Sequence, residues 1–413
     1  MGKSFIIREV GRRLFSHYVE LNMAEDAEGR RLFRGVHTTA DFYFALGMAA
    51  GEKLGEGADT LVFIDEIQTY PQYLTLLKFL RQEGRYRYIA SGSLLGLTLH
   101  HTTSIPVGSI IIKEMRQLDF EEFLLANGVA RNAIEAMRAQ WRARESLSAE
   151  MDARMLSLFR RYLVVGGMPD AVNEYLRSQN IVRIREIQGS IRLMYGADAA
   201  KYEHESGRNL LIRRIYDMVP SQMENKKRRM VARDIRGKEG DRFSRYNDEF
   251  EYLVASGITI AVNAVANPRF PLLASARKNL LKLYLNDVGL LTARLFRNNV
   301  DAIIGGGAAV NIGAVYENAV AQELRAHLGE LYYYDNKQKG EVDFVVNDYS
   351  GLGIMPIEVK SGKDYRVHSA INNMLATADY NVGEAMVLSN SGRVERDGKL
   401  TYMPVYFVMF IGE

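Results

Sequence analysis

Phosphate chemistry is suggested at both ends of this chain by the types and order of a few residues. Gly2-Lys3-Ser4 stands directly before a stretch with helical spacing, and Asp65-Glu66 closes the apolar run Leu61-Val62-Phe63-Ile64. A loop that holds a nucleoside triphosphate needs glycine so that backbone N–H groups can wrap the phosphates. It also needs a lysine to meet the β- and γ-phosphates and a hydroxyl for Mg²⁺. On that reading Gly2, Lys3 and Ser4 bind the nucleotide, Ser4 and Asp65 hold the metal ion, and Glu66 polarises the attacking water. Ser93 or Ser91, in the Ser91-Gly92-Ser93 exit of the following strand, is placed to sense the γ-phosphate, against a plain turn as the competing reading. Such a loop ordinarily opens on a glycine about five residues earlier, at the end of a strand. Here the sequence starts at Met1, so the first strand and half of the loop are missing and weak nucleotide binding is expected. Two lost N–H bonds to charged phosphate, at ~1.5–3 kcal/mol each, would cost roughly two to four powers of ten in affinity.

A second set lies in Glu341-Val342-Asp343-Phe344 and Pro356-Ile357-Glu358-Val359-Lys360-Ser361-Gly362. On a strand, residues two apart share a face, so Glu358 and Lys360 converge on one site. Asp343 and Glu358 can hold Mg²⁺ against a phosphodiester while Lys360 steadies an attacking water, with Glu317 or Glu323 of the preceding helix as a further carboxylate. An ion pair on a half-exposed strand is the alternative. A third feature is basic: between Arg213 and Arg245 eleven Lys and Arg stand against five Asp and Glu, with Lys226, Lys227, Arg228, Arg229 and Lys238 among them. Such a surface could track DNA or RNA phosphates, and it could equally be a solvated face. His100, His101 and His368 lack a metal-ligand spacing, and Tyr332-Tyr333-Tyr334 reads as a strand edge packed on a core rather than a base-stacking platform.

These residues need elements to position them. Ile6, Ile7, Val10, Leu14 and Phe15 recur at helical spacing; Tyr18–Asn22, Leu61–Ile64 and Tyr86–Ala90 read as strands, with a helix from Tyr73 to Leu80. Strand–helix–strand order of this kind marks a parallel α/β sheet. From Asp119 to Asp198 the pattern is mostly helical, interrupted at Gly166-Gly167-Met168-Pro169. Helical pieces followed by Ile258–Val262 resemble a winged helix, and from Gly313 a helix, strands at Val342–Val346 and Ile354–Val359, and another helix are predicted. The expected domains are 1–125, an ATPase core; 126–205, a helical lid or linker; 206–300, a basic winged-helix-like segment; and 301–413, an α/β domain.

The whole chain sets limits on these readings. At 413 residues, 47% hydrophobic and 25% charged, it has the composition of a folded protein with two or three cores. Without cysteine it has no disulfides, thiolate metal sites or cysteine nucleophile, which fits the cytoplasm. The charged start does not suit a signal peptide, and the uncharged stretch Tyr88–Ile112 is broken by polar residues and glycines, so no membrane segment is read. A net charge of +3 leaves any attraction to nucleic acid to local clusters.

Ordered matches then give a resemblance along nearly the whole chain. They are Leu61–Gln68, Ser91–Gly96, Leu118-Asp119-Phe120-Glu121-Glu122-Phe123-Leu124, Gly166–Pro169, Tyr284–Leu291, Tyr316-Glu317-Asn318 and the Glu341–Gly362 pair. The chain resembles prokaryotic AAA-type ATP-binding proteins with a C-terminal restriction-endonuclease-like domain of unknown function. The resemblance implies a P-loop sheet with a helical lid, ATP and Mg²⁺ at Lys3, Ser4 and Asp65, catalysis by Glu66, and a nuclease-like core at Asp343, Glu358 and Lys360. Where many relatives carry a Gly-Arg pair that could serve as an arginine finger, this chain has Gly108-Ser109. The expected activity is ATP binding and hydrolysis controlling a C-terminal domain that acts on nucleic acid. Its rivals are a non-enzymatic DNA-binding or protein-interaction protein with degenerate sites, and an Mg²⁺-dependent nuclease with a dead ATPase half.

Overall fold

The computed structural model describes residues 2–55, 57–92, 108–201, 206–225, 228–237, 242–305, 312–362 and 365–412. Ser93, Leu94, Leu95, Gly96, His100, His101, Lys226, Lys227 and Lys238, singled out above, lie outside the described residues. The chain divides into two compact units, Met1–Arg116 and Gln117–Glu413.

In the first unit, helix α1 (Lys3–Leu14) precedes strand β1 (His17–Asn22), and helices α2 (Met23–Glu28) and α3 (Thr39–Ala50) follow. Then come β2 (Thr60–Asp65), α4 (Gln72–Glu83) and β3 (Arg87–Ala90). The three strands form a parallel sheet in the order β1-β2-β3. All six residues of β2 are buried, as befits the middle strand of a sheet covered on both faces. The α3 start is fixed by a capping box, in which the Thr38 hydroxyl accepts from the Asp41 N–H and Asp41 accepts from the Thr38 N–H. Phe42 and Tyr73 meet edge to face at 6.0 Å in the core beside the sheet.

The second unit opens with five helices: α5 (Phe120–Ala126), α6 (Arg131–Ala143), α7 (Ala149–Val165), α8 (Pro169–Ser178) and α9 (Ile181–Lys201). Three more follow, α10 (Ser206–Glu224), α11 (Ala232–Arg236) and α12 (Asn247–Ala255), before the hairpin β4 (Thr259–Val265) and β5 (Ala276–Leu285). Helix α13 (Val288–Phe296) leads to the long buried α14 (Gly313–Leu328). Next come β6 (Leu331–Asn336), β7 (Gly340–Asp348), β8 (Gly353–Lys360), α15 (Ser369–Leu375), β9 (Ala385–Ser389), β10 (Glu395–Asp397) and β11 (Leu400–Pro404). These strands build one eight-stranded sheet, in the order β10-β11-β9-β8-β7-β6-β4-β5.

Three details differ from the sequence reading. The first unit ends at Arg116 because the next segment is held from the other side: the Leu118 N–H donates to Gly167 O at 2.9 Å. The hairpin expected as a separate wing joins the C-terminal sheet, with β4 pairing parallel to β6 from Val262↔Leu331 to Val265↔Tyr334. Residues 206–300 and 301–413 therefore share a sheet. Tyr332, Tyr333 and Tyr334 lie on an interior strand between β4 and β7, not an edge, and all three are buried. Among the described residues no helix is long and apolar enough to cross a membrane.

Two buried carboxylates tie the helices to the sheet. Asp287, fully buried, caps α13 by accepting the Leu290 N–H at 3.0 Å and also accepts the Gly167 N–H at 2.7 Å. Gly167 fits only without a side chain, since a Cβ there would stand 1.9 Å from the Leu118 carbonyl oxygen. Beside it Arg185, almost buried, donates to the carbonyls of Val164 and Arg297, so α9 is held to the same junction. Glu323 of α14 accepts the Phe120 N–H at 3.0 Å and the Tyr162 hydroxyl at 2.9 Å, which fastens the start of α5 and the middle of α7 to the central helix. Replacing Asp287 by Ala strands these backbone donors, and urea unfolding should show a loss of about 2–4 kcal/mol.

Burial pushes Glu323 up to about 8 and Asp287 up to about 6. His327 is also raised: burial acts to lower it, but the Asp119 carboxylate at 3.6 Å and Glu323 outweigh that. All three native groups hold protons more tightly than in the unfolded chain, so the native state binds the excess and stability falls as pH rises between about pH 5 and pH 8. Denaturant midpoints measured across that range should decline, and Glu323→Gln should flatten the decline. An unchanged slope in the variant would exclude Glu323 as its source.

Candidate functional site

At the N-terminal unit the site is made by one helix start and two strand ends. Gly2 precedes α1 with φ of 72°, a left-handed conformation suited to glycine, and no side chain caps the helix. The first helical N–H groups therefore have no partner within the helix. No acidic residue sits in that first turn to offset the positive end of the helix dipole.

Asp65, at the end of β2 and buried, collects the neighbouring donors. The Ser4 hydroxyl donates to its Oδ2 at 2.9 Å, and the Glu66 N–H to its Oδ1 at 3.1 Å. The Ser91 hydroxyl donates to Oδ1 as well, while Ser93 lies outside the described residues. Lys3 reaches across to the end of β3, where its ammonium donates to the Gly92 carbonyl at 2.8 Å. Glu66 turns at φ of 55°, and its carboxylate accepts from the Gln68 amide. Gly2, Lys3, Ser4, Asp65 and Glu66 are thus brought together although 61 positions separate Ser4 from Asp65. A hydroxyl touching a carboxylate is a donor set that suits Mg²⁺, which takes one or two protein oxygens and leaves its other positions to water and phosphate.

In the second unit β7 and β8 are antiparallel, with Phe344 opposite Ile357. That pair closes the ladder, and Asp343 and Glu358 lie one residue beyond it on their strands. Asp343 Oδ2 accepts the Val359 N–H at 2.8 Å, and the Lys360 ammonium lies 2.8 Å from Glu358 Oε1. Burial, then the Asp343 carboxylate, push Glu358 up to about 7, while Lys360 pulls the other way. Its second oxygen is buried with no hydrogen-bond partner among the described residues.

The two carboxylates of α14 part company. Glu323 serves the helical junction, whereas Glu317, fully buried, enters a cluster on β5 and β7. Lys282 of β5, 1% exposed, lies 3.3 Å from Glu317 Oε1 and 2.8 Å from Glu341 Oε1. The Tyr284 hydroxyl donates to Glu317 Oε1, and the Arg228 guanidinium meets Oε2. Asn318 fixes the helix in place, exchanging two hydrogen bonds with the Leu285 backbone at 3.0 and 3.1 Å. Sequence reasoning passed over Lys282, although a single lysine between leucines, two residues from Tyr284, signals a charge turned into a site. It also placed Arg228 and Arg229 on a phosphate-tracking surface. Both are engaged by carboxylates, Arg228 by Glu317 and Arg229 by Asp335 at 2.8 Å. Among the described residues no group of three or more His, Asp or Glu side chains stands free to hold a metal ion.

Removing one partner of a buried ion pair leaves the other uncompensated. Glu317→Gln should therefore destabilise the second unit by about 3 kcal/mol in denaturant titration, and Glu317→Gln with Lys282→Met by clearly less. Equal losses in the single and double variants would show that the two charges are not coupled.

Three family models match the chain. Residues 1–124 match an AAA domain, residues 156–301 a domain of unknown function (DUF8612), and residues 312–408 another domain of unknown function (DUF4143). No curated protein and no solved structure matches. The N-terminal unit, with its parallel sheet, is thus similar to AAA domains, which are ATPase-like, nucleotide-binding domains.

Proposed function

We propose that the chain binds Mg–ATP at Gly2, Lys3, Ser4 and Asp65, hydrolyses it with Glu66 as the base, and uses nucleotide state to control a nuclease-like, nucleic-acid-binding site at Asp343, Glu358 and Lys360. The observation that carries this reading is the meeting of Ser4 with Asp65 beside an uncapped helix start, in a segment similar to an AAA domain. Helix N–H groups take up phosphate oxygens, and Lys3 leaves the Gly92 carbonyl for the charged phosphates. Ser91, already on Asp65, or Ser93, two residues further along the sequence, would sense the γ-phosphate. Mg²⁺ held by Ser4 and Asp65 would supply charge neutralisation between the β- and γ-phosphates. Glu66 accepts a proton from water as its oxygen bonds to the γ-phosphorus; the bond to the bridging oxygen breaks, and ADP leaves with that electron pair.

At the second site Asp343 and Glu358 would hold Mg²⁺ with a phosphodiester oxygen, and Lys360 would stabilise the charge that develops on it. The unpartnered oxygen of Glu358 favours this over a plain ion pair with Lys360.

Calorimetric titration with Mg–ATP tests the first half. Binding should disappear in Lys3→Ala and persist in Glu66→Gln, in which phosphate release should fall about a hundredfold or more. Unchanged turnover in Glu66→Gln would move the base elsewhere, and binding that survives Lys3→Ala would remove the nucleotide from this helix start. For the second half, Mg²⁺-dependent cleavage of DNA or RNA should be lost in Asp343→Asn with the fold retained.

A further inference from the structure

The chemistry proposed for Asp343 and Glu358 leaves unexplained a cation that the protein itself supplies next to them. Lys282 is 1% exposed in a strand whose neighbours are leucines. A buried ammonium persists only where anions and π-faces compensate it. Here Glu341 lies 2.8 Å away, Glu317 3.3 Å away, and the Tyr333 ring centroid 4.8 Å away. Glu317 has cations on both sides: one oxygen faces Lys282 and the Tyr284 hydroxyl, and the other, which makes no hydrogen bond among the described residues, faces the Arg228 guanidinium.

The acidic residues are therefore divided. Glu317 and Glu341 are neutralised from within. Asp343 and Glu358 are held more lightly: Glu358, 9% exposed, has one oxygen on the part-exposed Lys360 and its other oxygen buried without a hydrogen-bond partner among the described residues, and Asp343 accepts the Val359 N–H. A divalent cation binds well when several anionic oxygens are free to turn toward it, and it then competes with any ammonium already seated on them.

We infer that Lys282, assisted by Arg228, is a built-in counter-ion that withholds Glu317 and Glu341 from the metal-binding set, so that a divalent cation is held firmly only after a nucleic-acid phosphate adds its own oxygens to those of Asp343 and Glu358. This rests on the reading of Asp343 and Glu358 as a metal site. It adds an order of events, nucleic acid first and metal second, and it restrains the site from binding metal, and so from cutting, while no nucleic acid is seated.

The test is Mn²⁺ titration of the full chain without nucleotide, read from the paramagnetic resonance signal of free Mn²⁺. Lys282→Met should tighten Mn²⁺ binding by about tenfold or more, because removing the resident charge releases two carboxylates. The gain should vanish when Asp343→Asn or Glu317→Gln is added. Arg228→Gln, at a side chain 24% exposed, frees one oxygen of Glu317 and should give a smaller gain in the same direction, which serves if Lys282→Met does not fold. Binding that is unchanged or weaker in a folded variant overturns the inference, and so does a gain that survives Asp343→Asn. Tight binding by the native chain, lost in Glu317→Gln, overturns it too but leaves the metal-site reading standing. If no variant binds Mn²⁺ even with a short DNA duplex present, the metal-site reading itself fails and takes the inference with it.

Discussion

Sealed from water, the carboxylate of Asp287 has to be satisfied from the protein, and backbone N–H groups of Gly167, Met168, Gly289 and Leu290 do this. Those donors belong to two places far apart in sequence: the glycine turn between α7 and α8, and the first turn of α13 directly after β5. Through this one group the helical layer is fixed against the strand that carries Lys282 and Tyr284. A water molecule could satisfy a carboxylate without fixing the distance between two elements; a pair of backbone segments cannot do so unless both are held in register. The geometry around Glu317 therefore depends on a junction that performs no chemistry.

The buried carboxylates of Asp65 and Glu317 are held in opposite ways. Around Asp65 the donors are neutral hydroxyls and a backbone N–H, which orient a carboxylate without cancelling its charge. Around Glu317 the donors are an ammonium, a guanidinium and a phenol, which cancel the charge outright. The first pattern keeps the carboxylate's charge, and the second offsets it.

Much of this could be read from the order of residues. β2 was legible because Leu61 to Ile64 form an unbroken apolar run, and the meeting of Glu358 with Lys360 followed from strand parity. Three things were hidden. The parallel pairing of β4 with β6 joins residues about seventy positions apart with no local signal, so the hairpin looked like an independent wing. The fate of Arg228 and Arg229 depended on Glu317 and Asp335, which no spacing rule connects to a basic run. The different roles of Glu317 and Glu323 came from rotation about α14: six residues apart, they lie about 120° apart around the helix and face different neighbours.

The sheet of the second unit crosses the gap between the regions matched by the two models of unknown function, since β4 and β5 fall in one and β6 to β11 in the other. This has a consequence for synthesis on the ribosome. When residue 300 has been made, the β4–β5 hairpin exists but the strand that covers the open side of β4 does not, and an uncovered strand edge is a template for wrong partners. The hairpin must wait for β6, and the sheet reaches its far edge only when β11, beginning at Leu400, has formed. Closure over such separations is slow compared with helix formation. The two matched regions, whatever their histories, are then bound to fold as one cooperative body, and a chain interrupted between them would carry an exposed strand instead of a finished domain.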